Sequence, residues 1–531
     1  MSLLRKFATV GSGTLSSRLL GFVREMLMAA ALGVGPVADA FNAAFQFPNT
    51  FRRLFAEGAF NAAFVPLFAK EIEAGGVQGA RRFAEEVFGV LFTVLIVLTI
   101  AMELAMPLLV ATIVAPGFAD DTDKYALTVR LATIMFPYLA FMSLAAMMGG
   151  MLNALRRYFA AAIAPVFLNI ILICVLAYAW RAGLPAEELG RALAWGVFVS
   201  GLVQLAIVWF AARHAGISIR LARPRFTPNV RRLLWLALPA AITGGITQIN
   251  QLIGTAIASM QASAVSALAY ADRVYQLPLG VIGIAVSMVL LPELARALKA
   301  GNEAESANLQ NRSVEFSLFF TLPSAAALMV IAEPIVRVLY ERGAFAATNG
   351  TPTVAAVLAI FGAGLPAFVL IKAFTPGYFA REDTRTPMIF AAISVAINIA
   401  IALTLFPRVG VTGIATASAV AAWVNATMLF ATLYRRGHWQ IDRQLLTRVP
   451  RLLLAAVAMG GILLFIHYEW TASHLQPETP FATQVLALAA LVVIGALAYF
   501  AIAFAIGGAS LGMLRRNLRR SGKTPPAPAE D

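Results

Sequence analysis

Long apolar runs constrain this chain more than any other feature. Windows of about 20 apolar residues recur along it, centred roughly on residues 20, 55, 97, 140, 169, 201, 244, 280, 322, 363, 395, 422, 457 and 494. Such a segment spans a bilayer only if its backbone hydrogen bonds close within it, as they do in a helix. The windows predict an all-α polytopic membrane protein with about fourteen transmembrane helices. Composition excludes an ordinary soluble domain, with 60% hydrophobic residues, 13% charged residues and a mean hydropathy of +0.79. Arg5 and Lys6 precede the first run as in a signal peptide. Arg18 interrupts that run and no small-residue cleavage site follows, so it reads as a retained helix.

Charge sorts between alternate connections. The N terminus, the even-to-odd connections and the C-terminal tail hold 28 of the 41 Lys and Arg residues, the opposite connections hold seven, and six lie within spans. The positive-inside rule then makes both termini cytoplasmic. The net charge of +14 is a topological signature beside anionic lipid, and no nucleic-acid partner is expected. Residues 511–531, basic and then Pro-rich and acidic, read as a disordered cytoplasmic tail. Cys174, the single cysteine, lies in an apolar span, and His214, His438, His467 and His474 lack metal-ligand spacing. No metal and no cofactor is expected.

The chain repeats weakly at long period. Pro48 pairs with Pro278, Pro66 with Pro292, Pro107 with Pro334, Gly117 with Gly343, Pro137 with Pro366 and Asn169 with Asn398, at offsets between 226 and 230. Agreement among six pairs predicts a duplicated six-helix unit, and because six is even the two copies run parallel. The expected organisation is an N-lobe over 1–215 (helices 1–6), a C-lobe over 216–440 (helices 7–12) and a C-terminal two-helix hairpin over 441–510. The substrate pathway is expected between the lobes.

Residues 15–70 carry Arg18, Arg24, Glu25, Asp39, Arg52, Arg53 and Glu57 in or beside the first two spans. Each costs about 2.5 to 3.5 kcal/mol at a bilayer centre, so they should face protein or water. Arg18 and Glu25, seven apart, share a face, whereas Arg24 sits about 100° round. Arg52 likewise points away from the Arg53, Glu57 and Asn61 stripe. Pro48, Gly58 and Pro66 predict a bent second helix. In the second half Asp272 and Arg273 lie in helix 8. Guanidinium groups that converge in a partly dry cavity suit a diphosphate, whose oxygens they bind in pairs. Arg18, Arg24, Arg52 and Arg273 are therefore the substrate-binding candidates, with Glu25, Asp39, Glu57 and Asp272 adjusting charge and gating. Snorkelling accounts for Lys372.

The runs RLLGFVRE and ADAFNAAFQFPNTFRRLFAEGAFNAAFVPLF, with ADRVYQLPLG at 271–280, LYERGAF at 339–345 and IKAFTPGYFAREDTRTP at 371–387, resemble the MurJ/MviN family of lipid II flippases. That family sits in the superfamily of multidrug and oligosaccharide-lipid exporters, and the resemblance runs to about residue 510. It implies a flippase that moves lipid II, the undecaprenyl-diphosphate-linked peptidoglycan precursor, from the cytoplasmic to the outer leaflet of the bacterial inner membrane. It also implies a groove for the polyprenyl tail on helices 13 and 14, and it leaves open contact with the cell-wall synthesis machinery.

Two other classes bear on the same residues. Flipping of another oligosaccharide-diphosphate lipid, or multidrug export, would use the same architecture. Drug export favours carboxylates and aromatics that bind cations, whereas this cavity is rich in arginine. An enzyme acting on polyprenyl phosphates needs a carboxylate cluster for Mg²⁺ or a base beside a nucleophile, and the acids within these spans stand singly among arginines. The reading is of a transporter and not an enzyme.

Overall fold

A computed structural model describes residues 3–53, 60–474 and 479–508. Among these the regular structure is all helical, without strands. In order the helices are α1 (Leu3–Leu32), α2 (Pro36–Arg52), α3 (Phe60–Leu104), α4 (Met106–Leu109), α5 (Thr122–Met135), α6 (Tyr138–Ala154), α7 (Phe159–Ile163), α8 (Val166–Ala182), α9 (Ala186–His214), α10 (Pro228–Ala258), α11 (Ala264–Lys299), α12 (Glu303–Val330), α13 (Ala332–Tyr340), α14 (Ala344–Ala347), α15 (Thr351–Phe379), α16 (Arg385–Val409), α17 (Val411–Arg435), α18 (Arg443–His474) and α19 (Phe481–Ala505).

All but one of the sequence-derived centres fall in a helix, and residue 55 lies outside the described residues. Among the described residues ten helices are long and apolar enough to cross a membrane, or eleven if the two arms of α10 count as one span. Helices α1, α2 and α11, which carry the interior arginines and acids, stand outside that set. Proline and glycine place the bends. Between Pro228–Pro239 and Gly244–Ala258 helix α10 turns by 58°, where Pro239 lacks an N–H and its ring crowds the preceding turn. In α3 the bend is at Gly76, with φ 63° and ψ −165°, a conformation that only glycine adopts readily.

Polar ends are capped locally. The side chain of Asp121 accepts from the Lys124 N–H at the start of α5, and Asn302 accepts from the Glu305 N–H at the start of α12. The tail, the 511–531 segment, lies outside the described residues.

The chain forms two compact units. The first comprises Met1–Arg273, Leu339–Val354 and Val395–Ala417. Within it α2 packs on α5, α6 packs between α3 and α9, and α8 lies on α1 and α9. The second comprises Val274–Val338, Ala355–Ser394 and Ser418–Asp531. There α18 and α19 pack on α12 through Phe319, Leu452, Met459, Leu463 and Tyr499. Lipid is as apolar as leucine, so such helices are held by close packing and interhelical hydrogen bonds. Tyr499 donates to the Phe319 carbonyl at 2.8 Å, and Tyr378 donates to the Leu429 carbonyl at 2.7 Å.

Candidate functional site

The first unit gathers charge around Glu25 on α1. Its carboxylate accepts from Arg24 Nη2 at 2.9 Å and from Arg273 Nε on α11 at 2.8 Å. Arg24 Nη1 also donates to Asn169 Oδ1 on α8 at 3.1 Å, and the Asn169 amide donates back to the Ser17 carbonyl at 3.0 Å. Side-chain exposure is 6% for Arg24 and 8% for Glu25 but 39% for Arg273. Two guanidinium groups against one carboxylate leave a net positive charge. The two terminal nitrogens of Arg273 and the buried Nε of Arg24 have no partner among the described residues. The triad therefore keeps donors for an anion, in surroundings where a charge-assisted bond is strong.

Helix geometry explains why Arg24 joins Glu25 although their Cα atoms point about 100° apart. Both side chains are long, and Asn169 holds the guanidinium from the far side.

The start of α11 is anchored to the α1–α2 turn. Asp39, fully buried on α2, accepts from the N–H groups of Ser263 and Ser266 at 2.9 Å each, which occupies orphan donors of the α11 N terminus. Lys124 on α5 closes the arrangement, with Nζ 2.8 Å from Asp39 and 3.9 Å from the centre of the Phe118 ring. Ser263 and Tyr270 donate to the carbonyls of Val34 and Gly33, and Tyr340 donates to the Tyr270 carbonyl at 3.2 Å. Gly33 and Gly343, at φ 63° and 53°, let the turn and the 339–350 segment meet. A Cβ on Gly343 would stand 2.3 Å from the Ala30 carbonyl oxygen.

The remaining candidates are placed as follows. Arg18 is exposed and forms no ion pair among the described residues. Half-buried Arg52 donates to Asn49 Oδ1 at 3.0 Å. Asp272 is half-buried and acts on Arg273 through space. Glu57 lies outside the described residues. Arg24, Glu25 and Arg273 are thus brought together, while Asp39 belongs to the Lys124 pair. Among the described residues no three His, Cys, Asp or Glu side chains converge as metal ligands.

The model of a protein family described as lipid II flippase MurJ matches residues 28–479. This chain belongs to the MurJ family. A probable lipid II flippase MurJ of Rhizobium meliloti (strain 1021) is 68% identical over 520 residues, covering 98% of this chain and 97% of that protein. One from Rhizobium tropici is 60% identical over 531 residues, with 100% and 99% covered. The MurJ fold is shared with a solved lipid II flippase MurJ in an inward closed conformation, at TM-score 0.76 and 24% identity over 96% of this chain and 99% of that one. An inward-facing multidrug transporter of the MATE family, in the MOP superfamily, has TM-score 0.68 at 15% identity over 79% and 94%. As a member of the MurJ family the chain is a multi-pass membrane protein.

Several residues of this MurJ-family chain escaped sequence reasoning. Lys124 sits in DDTDKYAL, which reads as a polar connection, and nothing local marks it as Asp39's partner. Asn169 stood out only as a repeat marker. In the second unit buried Glu315 on α12 pairs with Arg312 and with Arg448 on α18, and Arg312 also reaches Asp442. The carboxylate in a span was a signal there, and Arg312 lies one turn away, but Arg448 lies 133 residues on.

Proposed function

We propose that this protein is the flippase that carries lipid II from the cytoplasmic to the outer leaflet of the bacterial inner membrane for peptidoglycan synthesis. The observation that carries the reading is the Arg24–Glu25–Arg273 cluster, net positive and with donors to spare, in a chain of the lipid II flippase MurJ family. A diphosphate headgroup cannot cross hydrocarbon unaided, and paired guanidinium donors replace its water. Arg18, Arg24, Arg52 and Arg273 bind the diphosphate, and Glu25, Asp39, Glu57 and Asp272 adjust charge and gating. Transport proceeds by alternating access, one six-helix repeat (1–215) moving against the other (216–440), with both termini cytoplasmic. The protein acts as a transporter and catalyses no bond chemistry. The two hairpin helices, over 441–510, offer apolar surface to the polyprenyl tail. An apolar cavity of about 340 Å³ bordered by Phe374, Phe430, Trp439, Leu446 and Val449 supports that role. Multidrug export fits less well, because a drug cation would meet the excess guanidinium charge.

Depletion in the native cell, with a leaflet assay for lipid II, tests the reading. Lipid II should accumulate in the inner leaflet. Undiminished outer-leaflet lipid II in a cell without a redundant flippase would overturn it.

A further inference from the structure

The charged cluster has a neutral counterpart. Arg24 and Glu25 precede Asn250 and Gln251 on α10 by 226 residues, and Asn169 precedes Asn398 on α16 by 229, which is the spacing of the internal repeat. The contact repeats too. Asn169 binds Arg24, and Asn398 donates to Asn250 Oδ1 at 2.7 Å. Where the first repeat carries a guanidinium and a carboxylate, the second carries two amides.

The surroundings of these amides are polar and include spare hydrogen-bonding capacity. Arg53 Nη1 donates to Gln251 Oε1 at 3.4 Å, at the long limit of a hydrogen bond. Gln46 donates to the Gln251 carbonyl at 2.9 Å and accepts from Thr255 at 2.5 Å. The exposed Gln251 side chain donates to nothing among the described residues. One turn earlier, Gln248 Oε1 is buried and has no partner among the described residues.

We propose that Gln248 and Gln251, one turn apart on a single face of α10, form an amide-lined subsite for the saccharide part of a glycosylated diphosphate lipid; this rests on the flippase reading above. Each amide offers two donors and an acceptor, which matches the hydroxyls of an uncharged sugar. A second cationic half would compete for the phosphates instead. Replacing charge by amides at equivalent positions of the two repeats gives the headgroup a direction, diphosphate toward Glu25 and saccharide toward Gln251. Gln251 exchanges its long contact with Arg53 for a sugar hydroxyl.

The test uses the full-length protein in lipid nanodiscs, with lipid II and undecaprenyl diphosphate as separate probes read by native mass spectrometry. Wild type should bind lipid II more tightly. Gln251→Met and Gln248→Met, both near-isosteric, should each weaken lipid II by roughly 5- to 10-fold, the worth of a neutral hydrogen bond, and leave undecaprenyl diphosphate unchanged. Equal weakening for both lipids, or none for lipid II, in variants that melt as wild type does would overturn the subsite. If one variant fails to accumulate, the other decides the outcome. Wild type that binds neither probe better than phosphatidylglycerol would overturn the flippase reading itself.

Discussion

Arg273 and Glu25, 248 residues apart in sequence, meet at 2.8 Å, and that pair joins α11 to α1. Glu25 neutralises one guanidinium while Arg24 and Arg273 remain two. Arg24→Ala or Arg273→Ala should cost about 2 to 3 kcal/mol of substrate binding, roughly 30- to 150-fold in affinity. Lysine should rescue poorly, since a point charge cannot reproduce the guanidinium fork. Complementation by each variant, with membrane levels checked, measures this. Normal insertion with wild-type flipping in both alanine variants would make these arginines structural. Arg53, held by Gln251, should tolerate substitution better than Arg52.

The Asp39–Lys124 pair predicts a stability effect of another kind. Both groups are buried, so removing one strands the other's charge. Asp39→Ala or Lys124→Met should each destabilise by about 3 to 5 kcal/mol. Because the two share one interaction, the double variant should lose less than the sum. Thermal unfolding of all three in detergent reads the coupling, and simple additivity would mean the contact contributes nothing.

Truncation at about residue 445 removes Arg448 and most of α18 and α19. Glu315 then keeps Arg312 but loses its second guanidinium, and the apolar residues of α12 around Phe319 lose their cover. Transport should fall while the first twelve spans still insert, as cysteine-accessibility mapping would report. A stable and fully active truncated protein would remove any role of the hairpin in binding the polyprenyl tail.

Two connections in the second unit predict pH dependence. Burial opposes the charged form of Asp383, but the bonds from the Thr386 hydroxyl and N–H and from Arg436 outweigh it and hold the carboxyl at about 2. Its folded value is depressed, so its stabilisation is complete above about pH 4 and is lost as pH falls from there toward 2. Burial, then Arg381 and Arg436, push the His438 imidazole below its ordinary value. Its neutral form is the folded form, and its contribution is present above about pH 6.5 and lost as pH falls further. Melting temperature between pH 7.5 and 5 should decline in wild type and decline less in His438→Gln. Identical slopes would exclude His438 as the titrating group.

What the sequence by itself determined is whatever local chemistry decides. Apolar run length places the spans, and the cost of charge in lipid marks α1, α2 and α11 as facing protein or water. Tertiary structure alone decided the partners. Arg18 shares a helical face with Glu25, yet the carboxylate takes Arg24 and Arg273, because α8 supplies Asn169 and α11 brings a second guanidinium. Nothing in the sequence near Asp39 names its partners, Lys124 and the start of α11. A buried charge is satisfied by whichever donors packing brings within about 3 Å, and helices distant in sequence supply them.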